Sequence, residues 1–275
     1  MTAAETTDRA YLAISAIYRW EADYLREWVA FHRLVGVERF FLYDNASEDD
    51  HLEALAPFIE DGSVIVHPWP VFPGQPSANA HCLERHGGDA RWIAFIDVDE
   101  FLFSPTGRPV PEILEGFEEA PGVCVSRAWM GSSGHETKPE GTVLANFSSR
   151  LVLPEPNRAV KCIVDPLRVE RRVNEHWFEY KDGALPVDEH GQPLTTWRRD
   201  PLTFDVLRLN HYFTKSIEEA VRKFARPQAS SGGALRGELH PNGLRRRHER
   251  YGQPDHVIQR YLPALEESLA AVADR

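Results

Sequence analysis

The sequence predicts an α/β protein: a mostly parallel central sheet flanked by helices. Two observations point there. Short apolar runs alternate with amphipathic helical stretches through the first hundred residues, the rhythm of βαβ units. Those runs are continuous rather than alternating, as strands buried on both faces require. A chain of 275 residues is long enough for one sizeable core.

Residues 11–17 form the first apolar strand. Residues 21–34 place Tyr24, Leu25, Trp28, Phe31 and Val35 at helical spacing, closed by Gly36. A second strand, 40–43, runs into Asp44-Asn45, and a turn rich in capping residues (47–50) opens a helix over 52–59 that stops at Asp61-Gly62. A strand over 64–69, a Pro/Gly loop over 70–76 and a helix over 77–85 complete the next unit. The run Trp92-Ile93-Ala94-Phe95-Ile96 then ends abruptly in Asp97-Val98-Asp99-Glu100. Right-handed crossovers place a ligand site beyond the carboxyl ends of such strands, where Glu21, Asp44 and Asp97 fall.

From Val123 the rhythm changes. Strands are expected over 124–129, 143–147, 160–164, 177–180 and 206–209, with a polar loop over 131–136 and turn signals at Asp182-Gly183 and His190-Gly191. Ser216-Ile217-Glu218-Glu219 is a capping box opening a helix that stops before Pro227. Residues 230–233 read as a mobile segment, and a final amphipathic helix is expected over 255–273. There is no internal repeat and no clean linker.

Composition narrows the function. An apolar content of 42% and a charged content of 27% are those of an ordinary globular protein. A net charge of −11 argues against sequence-independent nucleic-acid binding, which needs a broad cationic surface. Cys82, Cys124 and Cys162 are widely spaced among apolar neighbours and read as buried thiols. The stretch Met1 to Arg9 is polar, without the apolar core of a signal peptide. No run approaches the ~18 apolar residues of a membrane span. A reducing, cytoplasmic setting is therefore expected.

The acidic strand end carries the chemistry. Strand side chains alternate, so Asp97 and Asp99 are expected to point the same way. Two like charges side by side repel unless a counter-charge intervenes. Mg²⁺ or Mn²⁺, which favour oxygen ligands and also take phosphate oxygens, would serve. A lone Asp-X-Asp suits a solvated acidic turn equally well.

Three blocks of sequence resemble glycosyltransferase family 92 and its bacterial relatives, within the GT-A superfamily of nucleotide-sugar enzymes. The first is Glu21-Ala22-Asp23-Tyr24-Leu25-Arg26-Glu27-Trp28 through His32, Gly36, Phe40 and Tyr43-Asp44-Asn45-Ala46-Ser47. The second is Phe95-Ile96-Asp97-Val98-Asp99-Glu100-Phe101. The third is Leu209-Asn210-His211-Tyr212-Phe213-Thr214-Lys215-Ser216-Ile217-Glu218-Glu219, with Lys223 beyond it. The loop from Trp129 to Glu136 and Lys161 match more loosely. Where the family commonly has Lys-Asn before the first glutamate, this chain has Arg19-Trp20.

The resemblance implies a GT-A-type, Rossmann-like sheet with a smaller acceptor-side β region in one domain over 1–275. Residues 11–104 would form the nucleotide-sugar half, 105–225 the acceptor and metal half, and 226–275 a helical extension. It implies a metal-dependent, inverting transfer of a sugar, with galactose favoured, from a UDP-sugar to a carbohydrate hydroxyl. Asp44 and Glu21 fall where the nucleoside binds and Asp97 near the ribose. Asp97, Asp99 and His211 fall at the Mn²⁺ or Mg²⁺ ion, and Lys161 and Lys215 near the diphosphate. In the sequence alone Asp44 also suits an Asx-turn, Glu21 a first-turn helix acid, His211 a strand end, and both lysines a solvated surface.

An acceptor hydroxyl needs a general base. Glu136, after the Gly-rich loop, is the first candidate, His176 the second and Asp188 the third. Trp129 and His135 are the expected acceptor contacts, the indole offering a flat face to a pyranose; Trp177 reads as core. The basic run 244–250 reads as a solvated helix face. Two other classes compete: a nucleotidyltransferase and a non-catalytic carbohydrate-binding domain. The first would show a Gly-rich loop after the first strand, where Tyr18-Arg19-Trp20-Glu21 stands. The second would bind neither metal nor nucleotide.

Overall fold

The computed structural model describes residues 9–155, 157–225 and 240–273. The segment over 230–233 lies outside these residues. The βαβ rhythm is found as expected: β1 (Ala10–Tyr18), α1 (Ala22–Leu34), β2 (Arg39–Asp44), α2 (His51–Glu60), β3 (Val64–Pro68), α3 (Gln75–His86) and β4 (Ala90–Phe95). There follow β5 (Glu100–Phe103), α4 (Val110–Leu114), β6 (Gly122–Trp129), α5 (Val143–Asn146), β7 (Ser149–Leu151), β8 (Val160–Val164), β9 (Val169–Asn174), β10 (Trp177–Tyr180) and β11 (Val187–Asp188). The chain continues through β12 (Arg208–His211), α6 (Ile217–Phe224), α7 (Pro241–Tyr251), β13 (Gly252–Pro254) and α8 (Leu262–Ala273).

Among the described residues, nine strands make one sheet in the order β3-β2-β1-β4-β8-β6-β12-β5, with β11 paired to β6. The first four are mutually parallel, as are β6–β12 and β6–β11, while β8 runs antiparallel between β4 and β6 and β5 antiparallel to β12. This is the mostly parallel, helix-flanked layout that was expected. The period-two alternation of strand side chains builds a core on each face. Leu12, Ile14, Phe40, Leu42, Trp92 and Ala94 pack with α1, α2, α4 and Leu265 of α8. Ala13, Ile17, Phe41, Tyr43, Ile93 and Phe95 pack with α3 and the β9–β10 hairpin.

Two sequence expectations need correction. Residues 143–147 were expected as a strand, but Val143–Asn146 is one helical turn. Thr142 Oγ accepts the Ala145 N–H, and the Glu27 carboxylate of α1 accepts those of Val143 and Leu144, satisfying donors that a helix start leaves open. The terminal helix is also shorter than the expected 255–273, because Val257–Tyr261 is 3₁₀. Trp177 is core, and all three cysteines are buried free thiols. In the basic run, Leu244 and His248 of α7 turn inward and the arginines outward.

Gly36, after α1, holds φ at +101°, and a Cβ there would lie 2.6 Å from Pro111. A glycine is therefore required where α1 meets α4. Among the described residues no helix is long and apolar enough to cross a membrane.

Candidate active site

The site forms at the carboxyl end of β4. The strand stops at Phe95, and Asp97-Val98-Asp99 make the tight turn into β5, closed by the Glu100 N–H donating to the Asp97 carbonyl at 2.9 Å. The two acids are thus not alternate rungs of a strand, and they serve different partners. Asp97 accepts from Lys161 Nζ at 2.8 Å and Gln75 Nε2 at 3.0 Å. Asp99 faces His211 Nε2 at 3.5 Å and the Lys223 ammonium.

Glu100, fully buried, binds this turn to the sheet. It accepts the Asp97 N–H at 2.9 Å and pairs with Lys161 at 3.4 Å and Arg127 at 3.3 Å. Acids and bases therefore alternate as Asp97, Lys161, Glu100, Arg127, which offsets the cost of burying each. Burial works against ionising Asp97, but the Lys161 ammonium outweighs it and holds the carboxyl below its usual value. Burial likewise opposes charge on Asp99, yet Lys223 and His211 hold it well below. Both are carboxylates at neutral pH. Burial opposes the charge on Lys161 too, but Asp97 and Glu100 raise its pKa, so its ammonium is retained.

A second group of charges faces Asp99 from the segment after β12. Lys215 is buried with its Nζ 3.2 Å from Glu21 and 3.4 Å from the centre of the Tyr24 ring. Burial pushes its pKa down, and Glu21 partly restores it. Lys215 adopts φ +49° and Trp20, beside Glu21, φ +56°. Non-glycine residues in this region cost roughly 1–3 kcal/mol each, and such strain clusters at functional sites. The capping box holds α6, with the Glu219 N–H donating to Ser216 Oγ and the Ser216 N–H to the Glu219 carboxylate. That helix delivers Lys223 to Asp99, and Glu219 also meets the Tyr24 hydroxyl.

The other expected residues are spread around this centre. Asp44, at the end of β2, accepts the N–H of Ser47, three residues on, at 2.8 Å and so closes the turn after the strand, with His51 3.7 Å away. Trp129 ends β6 with its ring 5.4 Å from His211 and 5.3 Å from Phe213. His135 lies against Phe147, its Nε2 3.1 Å from the Asn146 carbonyl. Glu136 is fully exposed and held by two bonds from Arg245 of α7, which keep its pKa low. His176 is in the β9–β10 turn, its Nδ1 3.0 Å from the Val160 carbonyl; burial, then Arg127 and Lys161, push its pKa down to about 3. Asp188 is engaged by Arg199 at 2.6 Å. Glu136 and His176 are thus both weak proton acceptors in this arrangement.

Five contributors escaped sequence reasoning: Gln75, Glu100, Arg127, Tyr24 and Lys223. Glu100 adjoins the acid pair and Tyr24 lies one turn from Glu21, so spacing offered a hint for both. Gln75 and Arg127 are brought in only by the sheet.

A divalent ion fits part of the expected ligand set. Asp99 Oδ1 and His211 Nε2 lie 3.5 Å apart, close to the spacing of two ligands on one metal, and carboxylate plus imidazole suits Mn²⁺. His211 Nδ1 is buried without a hydrogen-bond partner among the described residues, with Glu100 Oε1 3.9 Å away on the side from which carboxylates orient metal-binding histidines. Asp97 is turned to Lys161 and Gln75 and does not join them as a third ligand.

For a chain with this crest of acids and lysines, sequence comparison supplies the family. The sequence profile of glycosyltransferase family 92 matches residues 9–227, and the chain belongs to that family. A family 92 protein of Ricinus communis is 30% identical over 226 residues, covering 80% of this chain and 38% of its own length. A galactan beta-1,4-galactosyltransferase of Arabidopsis thaliana is 30% identical over 42% of this chain and 24% of its own, and a beta-1,4-galactosyltransferase of Caenorhabditis elegans 25% identical over 71% and 45%. The chain spans about a third of the length of these family 92 relatives, 38% of the Ricinus communis protein and 31% of one from Oryza sativa. Among solved structures, Staphylococcus aureus TarS 1–349 in complex with UDP aligns over 57% of this chain and 47% of its own, at a TM-score of 0.40 and 9% identity.

Proposed function

We propose that this chain is a metal-dependent, inverting glycosyltransferase that moves a sugar, galactose by preference, from a UDP-sugar to a hydroxyl of a carbohydrate acceptor. One observation carries the reading. Asp99 and His211 face each other across 3.5 Å at the carboxyl end of the central sheet, with Lys215 and Lys223 beside them. On an acidic chain these are the groups that can receive a diphosphate.

Asp99 and His211 would hold Mn²⁺ or Mg²⁺, whose Lewis acidity stabilises the charge growing on a departing diphosphate. Lys215 and Lys223 add point charges, and phosphate oxygens would take over part of their pairing with Glu21 and Asp99. Lys161 keeps Asp97 ionised as an acceptor for a ribose hydroxyl. Glu100 anchors the turn, so the acids are in place before a donor arrives and need no costly rearrangement. Galactose is favoured because two of the relatives are named as galactosyltransferases.

A screen of nucleotide sugars for Mn²⁺-dependent hydrolysis, with Asp99→Ala as control, tests this. UDP-galactose should turn over fastest, and Asp99→Ala should lose at least a hundredfold while remaining folded at the assay temperature. Undiminished hydrolysis by a folded Asp99→Ala variant would remove the assignment.

A further inference from the structure

Away from the acid turn, three ligand-bearing side chains meet where the chain leaves the sheet and returns to it. β11 and β12 occupy the same edge of β6, Val187–Asp188 pairing with Val123–Cys124 and Leu209–His211 with Arg127–Trp129. Residues between them make an excursion off the sheet. Glu189 and His190 stand at its start and Asp205 at its end.

Glu189 already joins the two ends. Its Oε2 accepts the Val206 N–H at 3.0 Å and the Leu207 N–H at 2.6 Å. Its Oε1 is buried with no hydrogen-bond partner among the described residues, on a side chain only 3% exposed. An unsatisfied oxygen on a buried carboxylate is costly. This one is directed at His190 Nε2, 3.8 Å away, which in turn lies 3.2 Å from Asp205 Oδ1. All three ligand atoms fall within 4.8 Å of one another. Two ligands of a tetrahedral zinc, bound at about 2.0–2.2 Å, stand roughly 3.3–3.6 Å apart, and the observed 3.2 and 3.8 Å bracket that spacing.

We propose that Glu189, His190 and Asp205 bind a divalent cation of the zinc type, which clasps the two ends of the excursion. Two carboxylates and an imidazole suit Zn²⁺, and the exposed sides of His190 and Asp205 leave water the fourth position. The excursion carries Trp197, stacked on His176 at 5.9 Å, and Arg199, which grips Asp188. Clasping its ends reduces the loop-closure cost of that structure and steadies the approach to β12, the strand that carries His211.

The test is calorimetric titration of ZnSO₄ into the chelator-treated full chain, with melting curves taken alongside. Wild type and Asp99→Asn should each bind one Zn²⁺ and melt several degrees higher with it. His190→Ala, at an exposed position that folding tolerates, should bind at least tenfold more weakly and show no shift, and Asp205→Asn should be weakened too. Absence of zinc binding by the wild type would overturn the site. So would binding that His190→Ala and Asp205→Asn leave intact, or binding lost only in Asp99→Asn, which would place the ion at the acid turn.

Discussion

Lys161 shows how one side chain can support a whole site. Its ammonium is buried between Asp97 at 2.8 Å and Glu100 at 3.4 Å. Replacing it by methionine leaves Asp97 without its cation and Glu100 with Arg127 alone, so Lys161→Met should cost about 3–5 kcal/mol in denaturant unfolding; a loss below about 1 kcal/mol would show the acids to be balanced elsewhere. Sequence could rank Lys161 only as a loose family match or a solvated lysine, because its burial comes from β8 entering the sheet between β4 and β6. Glu27 was equally hidden, a charged residue in a helix that elsewhere alternates faces. Burial raises its pKa to about 7 from 4.5, against the pull of the Val143 and Leu144 N–H groups. Between those values the folded chain keeps a proton that the unfolded chain has released. Stability should therefore fall as pH rises through that window, by up to about 3 kcal/mol. Unfolding free energies at pH 5 and pH 8 should differ less in Glu27→Gln than in wild type, and equal slopes would contradict the assignment.

Among the elements, α6 was fully legible and α5 was not. The capping box is a local signal, and the structure forms both of its hydrogen bonds. Because α6 carries Lys223 and follows Lys215, Ser216→Ala should cost about 0.5–2 kcal/mol and weaken UDP binding several-fold, measured by chemical unfolding and calorimetry. Unchanged affinity with the lost stability would separate the helix from the site. α5 misled because four or five apolar residues fit either a strand or a helix, and the deciding carboxylate, Glu27, lies 116 residues away from Val143. The acid turn misled in a smaller way: the apolar run marked β4, but the reversal into β5 depends on Glu100 and on β12 pairing beside it. β7 and β13 are three residues each and pair only through the tertiary fold, whereas β9 pairs locally with β10 but is mostly polar and so carries no apolar strand signal.

At the scale of the molecule, the parallel half was read from βαβ spacing alone, since continuous apolar runs can be strands only if both faces are covered. The antiparallel insertion of β8 was not, because β8 arrives from far along the chain. The C-terminal extension is part of the first core: Leu265 is fully buried and Tyr261 meets Phe31 at 5.6 Å. Leu265→Ala should therefore destabilise the whole chain by about 2–5 kcal/mol in a single denaturation transition. A separate early transition would mean that the extension folds apart. The central claim, that Asp99 and its neighbours receive a nucleoside diphosphate through a divalent ion, is tested most directly by calorimetry of UDP with and without Mn²⁺. Wild type should bind UDP at least tenfold more tightly with Mn²⁺, and Asp99→Asn should lose that gain while remaining folded at the temperature of the titration. Equal affinity in the two proteins with Mn²⁺ present, or no binding by the wild type, would contradict the account.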